Sequence, residues 1–414
     1  MKWVMLTQSG VSRMNGQALD LTAGRVLAID VFRGITIFVM VWVNELAGIQ
    51  DIPWWMKHLP ADVDGMTFVD LVFPAFLFIV GMSIPFAMQA RANKGETTLQ
   101  LLQHLALRSI GLVVIGVMMV STIGGFDESR MPVSMPVWTL WMYLAVLLVW
   151  SHYPRTLPAL LPKMGHSIGI LSLCLLAWLF RGPEDAMISP QWWGILGLIG
   201  WAYLIAGGAY LLTRRCSHVR TQFAWLAFAT IAFLGLFGVI DAQKSQPIWQ
   251  LFATQINHHS HIAIVLAGVM LSILSYHPAL SAHRTRNLLC YGLVLAVLSV
   301  ASWIIWPISK IWATPSWALW SIFICVVLFA LLYWLVDVMQ WQRWCQLFAP
   351  AATNPLLAYI LPYMLGAAAA IAGFNIRPTA FDQGMSGIVW SVFFACAIML
   401  LTAGLTRLGL KVKL

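Results

Sequence analysis

The sequence predicts an all-α polytopic membrane protein of about 11–12 transmembrane helices, with both termini in the cytoplasm. Three observations predict it. Of the 414 residues, 60% are hydrophobic and only 9% charged, whereas soluble domains carry about 25% charged residues. A water-soluble core cannot absorb that much apolar surface, so lipid must be the solvent for most of the chain. Apolar runs of roughly twenty residues, the length that crosses a hydrocarbon core, recur from end to end. The basic residues alternate loop by loop between two sides.

The spans begin near Val26, Met66, Leu105, Ser134, His166, Trp192, Gln222, His258, Asn287, Thr314, Asn354 and Ser386. The run after His166 is the shortest, and miscounting one adjacent pair leaves the outer topology unchanged. Ahead of the first span lies a cytoplasmic segment, residues 1–25, carrying Lys2, Arg13 and Arg25. Its one apolar patch, Trp3 to Leu6, is too short for a signal-peptide core, so no cleaved leader is expected. With the N-terminus inside, 18 of the 24 Lys and Arg fall on the inner side. The outer six are Lys57, Arg130, Arg181, Lys244, Lys310 and Arg377. The net charge of +9 is therefore mostly a topology signal, and no nucleic-acid partner is expected. The 22 Trp fit the same reading, because indoles favour membrane interfaces.

No loop is long enough to fold separately, so residues 1–414 form a single transmembrane domain whose site lies among the helices or at their mouths. No internal repeat is visible, unlike the paired halves of many transporters. The six Cys lie in spans or on the inner side, which predicts no disulfide framework.

The densest polar cluster runs from Asp30 to Asp70. Asp30 and Arg33 stand three apart near the inner end of the first span and share a helix face. Asn44 and Glu45 close its outer end, and the following loop holds Lys57, His58, Asp62 and Asp64. Asp70 lies about a turn into the second span. An intramembrane carboxylate is costly, which marks it as a functional residue or as one half of a buried pair. His58 is the best candidate catalyst, since an imidazole can act as base or acyl acceptor at neutral pH and three Asp stand near to orient it. Elsewhere, Thr353-Asn354-Pro355 reads as a helix N-terminus with Pro at its first position, and such an end is also an anion site. His258 and His261 stand three apart at the outer mouth of the eighth span. No Cys and no certain third ligand accompany them, so no metal site is expected. No Walker A loop and no H-E-x-x-H motif occurs.

The stretch AIDVFRGITIFVMVWVNELAG followed by KHLPADVDGMTFVDLVFPAFLFIVGMSIP resembles the heparan-α-glucosaminide N-acetyltransferase family, a branch of the multi-span membrane acyltransferases common in bacteria. The matching residues are Phe32-Arg33-Gly34, Asn44, Lys57-His58 and the run from Gly65 to Gly81. Weaker matches begin at Ser309 (SKIWATPSWAL) and Thr353 (TNPLLAYIL), while the middle, from about Gln89 to Pro307, matches only in hydropathy. His58 stands seven residues before Gly65, where the family spacing is five, and Ala61 stands where the family has Trp.

The resemblance implies a membrane acetyltransferase in a bacterial inner (plasma) membrane. It would take acetyl-CoA as cytoplasmic co-substrate and acetylate the nitrogen or oxygen of an amino sugar or related glycan outside. His58 is then the catalytic histidine, with Asn44 holding the thioester oxygen and Asp70 orienting the ring. Arg33, Arg25 and Asn354 are the candidates for the phosphates of CoA. Lys57, Asp64, His258, His261 and Lys310 are the candidates for the acceptor. The partners expected are that small-molecule or saccharide acceptor and membrane lipid, with a homodimer allowed. A permease for an amino sugar or its oligosaccharides is the rival reading, since embedded Asp and Arg suit a transporter too.

Overall fold

The computed structural model describes residues 26–154, 156–189 and 194–413. Among them twelve apolar helices account for most of the fold. They are α1 (Leu27–Leu46), α2 (Phe68–Ala92), α3 (Thr98–Ser121), α4 (Met135–Trp150), α5 (Leu160–Leu179), α6 (Ile195–Thr213), α7 (Val219–Gln243), α8 (Asn257–Tyr276), α9 (Arg284–Trp303), α10 (Pro315–Tyr333), α11 (Pro355–Ile371) and α12 (Gly384–Arg407). Ten are long and apolar enough to cross a membrane once α10 is continued through its π turn to Val338; α4 and α11 are shorter. The protein is thus an all-α polytopic membrane protein, because a span without water must satisfy its own backbone.

Two of the expected starts move. The third helix begins at Thr98, not near Leu105, because Thr97 and Gln100 exchange backbone hydrogen bonds as a capping box and extend it by two polar turns. The fifth begins at Leu160 rather than near His166. The expected start of the sixth at Trp192 lies outside the described residues.

The helices alternate between two faces. The near face carries the starts of α1, α3 and α11 and the ends of α2 and α12, and the far face carries the loop 47–67 between α1 and α2. At the centre stands α8, almost wholly buried, while α5, α7 and α9 are peripheral. Where α2 crosses α8, a Cβ on Gly81 would lie 2.0 Å from the Val265 carbonyl and one on Gly268 2.1 Å from that of Phe78. Two hydrogens in place of side chains let the backbones touch, the usual basis of helix packing in lipid. This crossing fixes α2, whose first turn carries the far-face site.

Candidate active site

The far-face site is built on the N-terminus of α2. Thr67 precedes the helix and Asp70 closes its first turn, so the Asp70 carboxylate bends back to the chain's entry. Its Oδ2 accepts from the Thr67 amide at 3.0 Å and the Thr67 hydroxyl at 3.3 Å. Its Oδ1 lies 2.6 Å from Nδ1 of His58. Pro74, four residues on, has no amide to offer the Asp70 carbonyl, and the indole N–H of Trp317 takes that carbonyl at 3.3 Å. Asp70 is thereby 1% exposed yet held through every acceptor it has. A carboxylate only accepts, so Nδ1 of His58 carries a proton, and in the neutral ring the lone pair is on Nε2. The His58 side chain is 41% exposed, which leaves the ring open to a reactant.

The loop bearing His58 is tied down from α9 and the turn after it. Asp64 accepts from the Ile308 amide at 2.7 Å and from the Trp303 indole at 2.8 Å, and the Gly65 amide donates to the Ile308 carbonyl at 2.9 Å. Asp64, expected to contact the acceptor, therefore spends both carboxylate oxygens on holding the loop. Lys57 is exposed, and its carbonyl accepts from Thr67 Oγ1 at 2.8 Å. The same far-face turn carries Lys310, half-buried and within the field of the Asp70 carboxylate. Burial pushes the Lys310 ammonium below its ordinary value, and the Asp70 charge acts against that push.

His261 does not stand at an open mouth as expected. It is 3% exposed, edge-on to Phe73 at 5.3 Å and to Trp317 at 6.0 Å, so it packs behind Asp70. His258 is half-buried against Trp201, with Nε2 3.0 Å from Gln255. Asn44 is exposed at the far end of α1 and donates to the Tyr363 hydroxyl at 3.2 Å. Among the described residues no hydrogen bond joins Asn44 to His58. Phe68 stacks on Trp42 at 5.6 Å and lies 6.0 Å from Trp55, which anchors the His58 loop to the same end of α1.

A cavity of about 820 Å³ opens at the near face, within the range of small-molecule sites of about 300–1,000 Å³. Basic side chains dominate its charge among the described residues: Arg33, Arg91, Arg108, Lys411 and Lys413 line it, against the one carboxylate of Asp30. Arg33 donates to Asp30 at 3.0 Å and to Ser83 at 2.6 Å. Arg108 lies over the Tyr203 ring at 4.9 Å, and its buried Nε has no hydrogen-bond partner among the described residues. From this vestibule a second, narrow cavity of about 70 Å³ runs inward, sharing Phe76, Val80, Arg108 and Tyr203 and ending among Ile37, Met40, Leu112, Ile195 and Tyr359. Along α1, Arg33, Ile37, Met40 and Asn44 follow one another at helical spacing and so mark one stripe. That stripe runs from the basic vestibule, past the apolar neck, to the far-face end.

Asn354 is the N-cap residue of α11, with Pro355 at the first helical position as expected, but its side chain makes no capping bond and does not line the cavity. Its Nδ2 donates to Thr406 at 3.0 Å and to the Leu410 carbonyl at 2.9 Å, and its Oδ1 accepts from the Val412 amide at 3.2 Å. It clamps the C-terminal segment, which pairs with Trp150–His152 so that Lys411 and Lys413 both face the cavity while Val412 is buried. Asn354→Ala should leave buried backbone groups unpaired, at a cost of roughly 1–3 kcal/mol. Limited trypsin digestion should then cut after Lys411 faster than in the wild type, while equal cutting would count against the clamp.

Arg25 lies outside the described residues. Arg91, Arg108, Lys411 and Lys413 are cavity residues that sequence reasoning assigned to topology alone. The one signal for Arg108 was its spacing of four from His104, which puts both on one face of α3 and in the cavity wall.

A family model described as a domain of unknown function (DUF5009) matches residues 25–182. The heparan-alpha-glucosaminide N-acetyltransferase of Homo sapiens is 40% identical over 97 residues, which is 23% of this chain and 14% of that protein. The protein of the same name from Mus musculus is 39% identical over 100 residues, 24% of this chain and 14% of its own length. The match thus spans about a seventh of these curated relatives, and the resemblance is regional.

Proposed function

We propose, from the resemblance to the heparan-alpha-glucosaminide N-acetyltransferase family, that this protein is a membrane-embedded acetyltransferase. It moves an acetyl group from acetyl-CoA at the near face to an amino sugar or related glycan at the far face. The observation that carries this reading is the polarity across the bundle: a basic vestibule with an apolar neck leading in from one face, and the His58–Asp70 pair on the other. Fourteen described Lys and Arg lie toward the near face against six toward the far face, which supports a cytoplasmic near face and cytoplasmic termini.

The nucleotide of CoA carries the phosphates, and arginine forks match phosphate oxygens. Arg108, Arg33 and Arg91 hold that end, with Lys411 and Lys413 adding charge. The pantetheine arm follows the apolar neck toward the end of α1. At the far face Nε2 of His58 takes the proton of the acceptor amine or hydroxyl, or itself accepts the acetyl group; both routes use the same lone pair. Asp70 fixes the tautomer and steadies the imidazolium that forms. Lys310, in the field of Asp70 on the same far-face turn, meets the acceptor, while the buried His261 packs behind the pair.

Sealed vesicles of defined orientation test this reading. With labelled acetyl-CoA on the near side only and glucosamine on the far side only, acetylated product should accumulate on the far side. Donor supplied only to the far side should yield none. Glucosamine crossing without any acyl donor, and without acetylation, would make the permease the better account.

A further inference from the structure

Three tyrosines meet beside the inner end of the neck. Pro355, Leu356, Tyr359 and Tyr363 share one face of α11, and the first three line the cavities. The ring of Tyr363 lies 5.8 Å from that of Tyr359 and stacks on Tyr143 of α4 at 6.1 Å. Tyr143 is 0% exposed, and its hydroxyl has no partner among the described residues. Phenylalanine would pack equally well against lipid-like surroundings without burying a hydroxyl, so this much polarity inside a bundle needs a use. Toward the far face the cluster meets Asn44, whose Nδ2 donates to the Tyr363 oxygen at 3.2 Å.

We propose that Tyr363 and Asn44 form a two-donor site for the carbonyl oxygen of the acyl thioester, with Tyr359 and Tyr143 holding the Tyr363 ring in place. The inference rests on the acetyltransferase reading and adds a residue to it. Asn44 has a second N–H, and the Tyr363 oxygen, already an acceptor from Asn44, keeps its own O–H to give. When the attacking lone pair bonds to the acetyl carbon, the carbonyl π pair moves onto oxygen, where both donors meet the growing charge. Collapse restores the C=O bond and expels the CoA sulfur as thiolate, while the proton of the acceptor passes to His58. Tyr363 keeps its proton throughout. Asn44 lies one turn beyond Met40 on the α1 stripe that lines the vestibule and neck, so a thioester led outward along that stripe meets these donors next.

The test uses full-length protein in nanodiscs and acetyl-CoA carrying ¹³C at the thioester carbonyl. Bound to wild type, the C=O stretch should shift to lower frequency than in solution. Tyr363→Phe and Asn44→Ala should each move it back toward the solution value. In steady state each should lower kcat about tenfold or more while KM for acetyl-CoA stays within about twofold, and the double variant should fall little further than either single one. Asn44 is exposed, so its variant keeps the test open should Tyr363→Phe not fold. Acetyl-CoA that binds with no carbonyl shift, or a Tyr363→Phe protein with wild-type kcat, would overturn the two-donor site and leave the acetyltransferase standing. No binding of acetyl-CoA by wild type would overturn both.

Discussion

His58→Ala should abolish acetyl transfer while leaving acetyl-CoA binding and thermal stability close to wild type. The ring is 41% exposed, so its removal opens no buried cavity. Asp70 keeps its bonds to Thr67 at the helix entry. General acid–base catalysis contributes roughly 10²–10⁴-fold, and the loss should fall in that range or exceed it if the imidazole carries the acetyl group. Asp70→Asn separates the two roles of the carboxylate. An amide there can still accept one hydrogen bond, but it cannot select the Nδ1–H tautomer or steady an imidazolium, so turnover should drop by about 10²-fold or more. Turnover by purified protein with acetyl-CoA and glucosamine, beside a melting curve, checks both. A His58→Ala protein that still transfers at more than a tenth of the wild-type rate would remove His58 from the chemistry.

Arg108→Ala should weaken acetyl-CoA binding by about 10–100-fold and leave kcat at saturating donor nearly unchanged. The guanidinium lies where the vestibule narrows, over Tyr203, with a buried Nε that has no partner among the described residues. Hydrogen bonds to charged groups are worth about 1.5–3 kcal/mol, and 1.4 kcal/mol is tenfold in affinity. The substitution leaves no orphaned partner in the unliganded protein, since Arg108 makes no ion pair among the described residues. S-acetylpantetheine, which lacks the nucleotide, provides the control. Its use should be indifferent to Arg108→Ala and to ionic strength, whereas acetyl-CoA affinity should fall with salt as the near-face charges are screened. Equal loss with both donors would mean that Arg108 supports the fold rather than the phosphates.

The site was legible where local rules govern it. Thr67 three residues before Asp70 is a helix-entry signal, and an entry capped by a carboxylate must hold that carboxylate near the preceding loop, where His58 lies. Other candidates were misjudged for a common reason: a side chain's surroundings cannot be read from its neighbours in the chain. Asp64 and Asn354 are polar residues at turns, yet their partners are Trp303 and Ile308 in one case and Leu410 and Val412 in the other. His261 follows two other histidines at a helix start but is covered by Phe73 and Trp317, which come from two other helices.

By itself the sequence determined the solvent, the succession of twelve apolar helices and the division of charge between faces. Each is a local quantity: the hydropathy of about twenty consecutive residues, and the basic residues flanking them. It also determined the helix entry that sets Asp70. Only the tertiary structure decided that Arg33, Arg108, Lys411 and Lys413 share one cavity, and that Tyr359, Tyr363 and Tyr143 gather near Asn44. These groups come from α1, α3, α4, α11 and the C-terminal segment. In lipid, apolar periodicity says little about which helix faces which, because the solvent is as apolar as the core. Close backbone packing decides it, as at Gly81 and Gly268, and such packing appears only when both helices are in place.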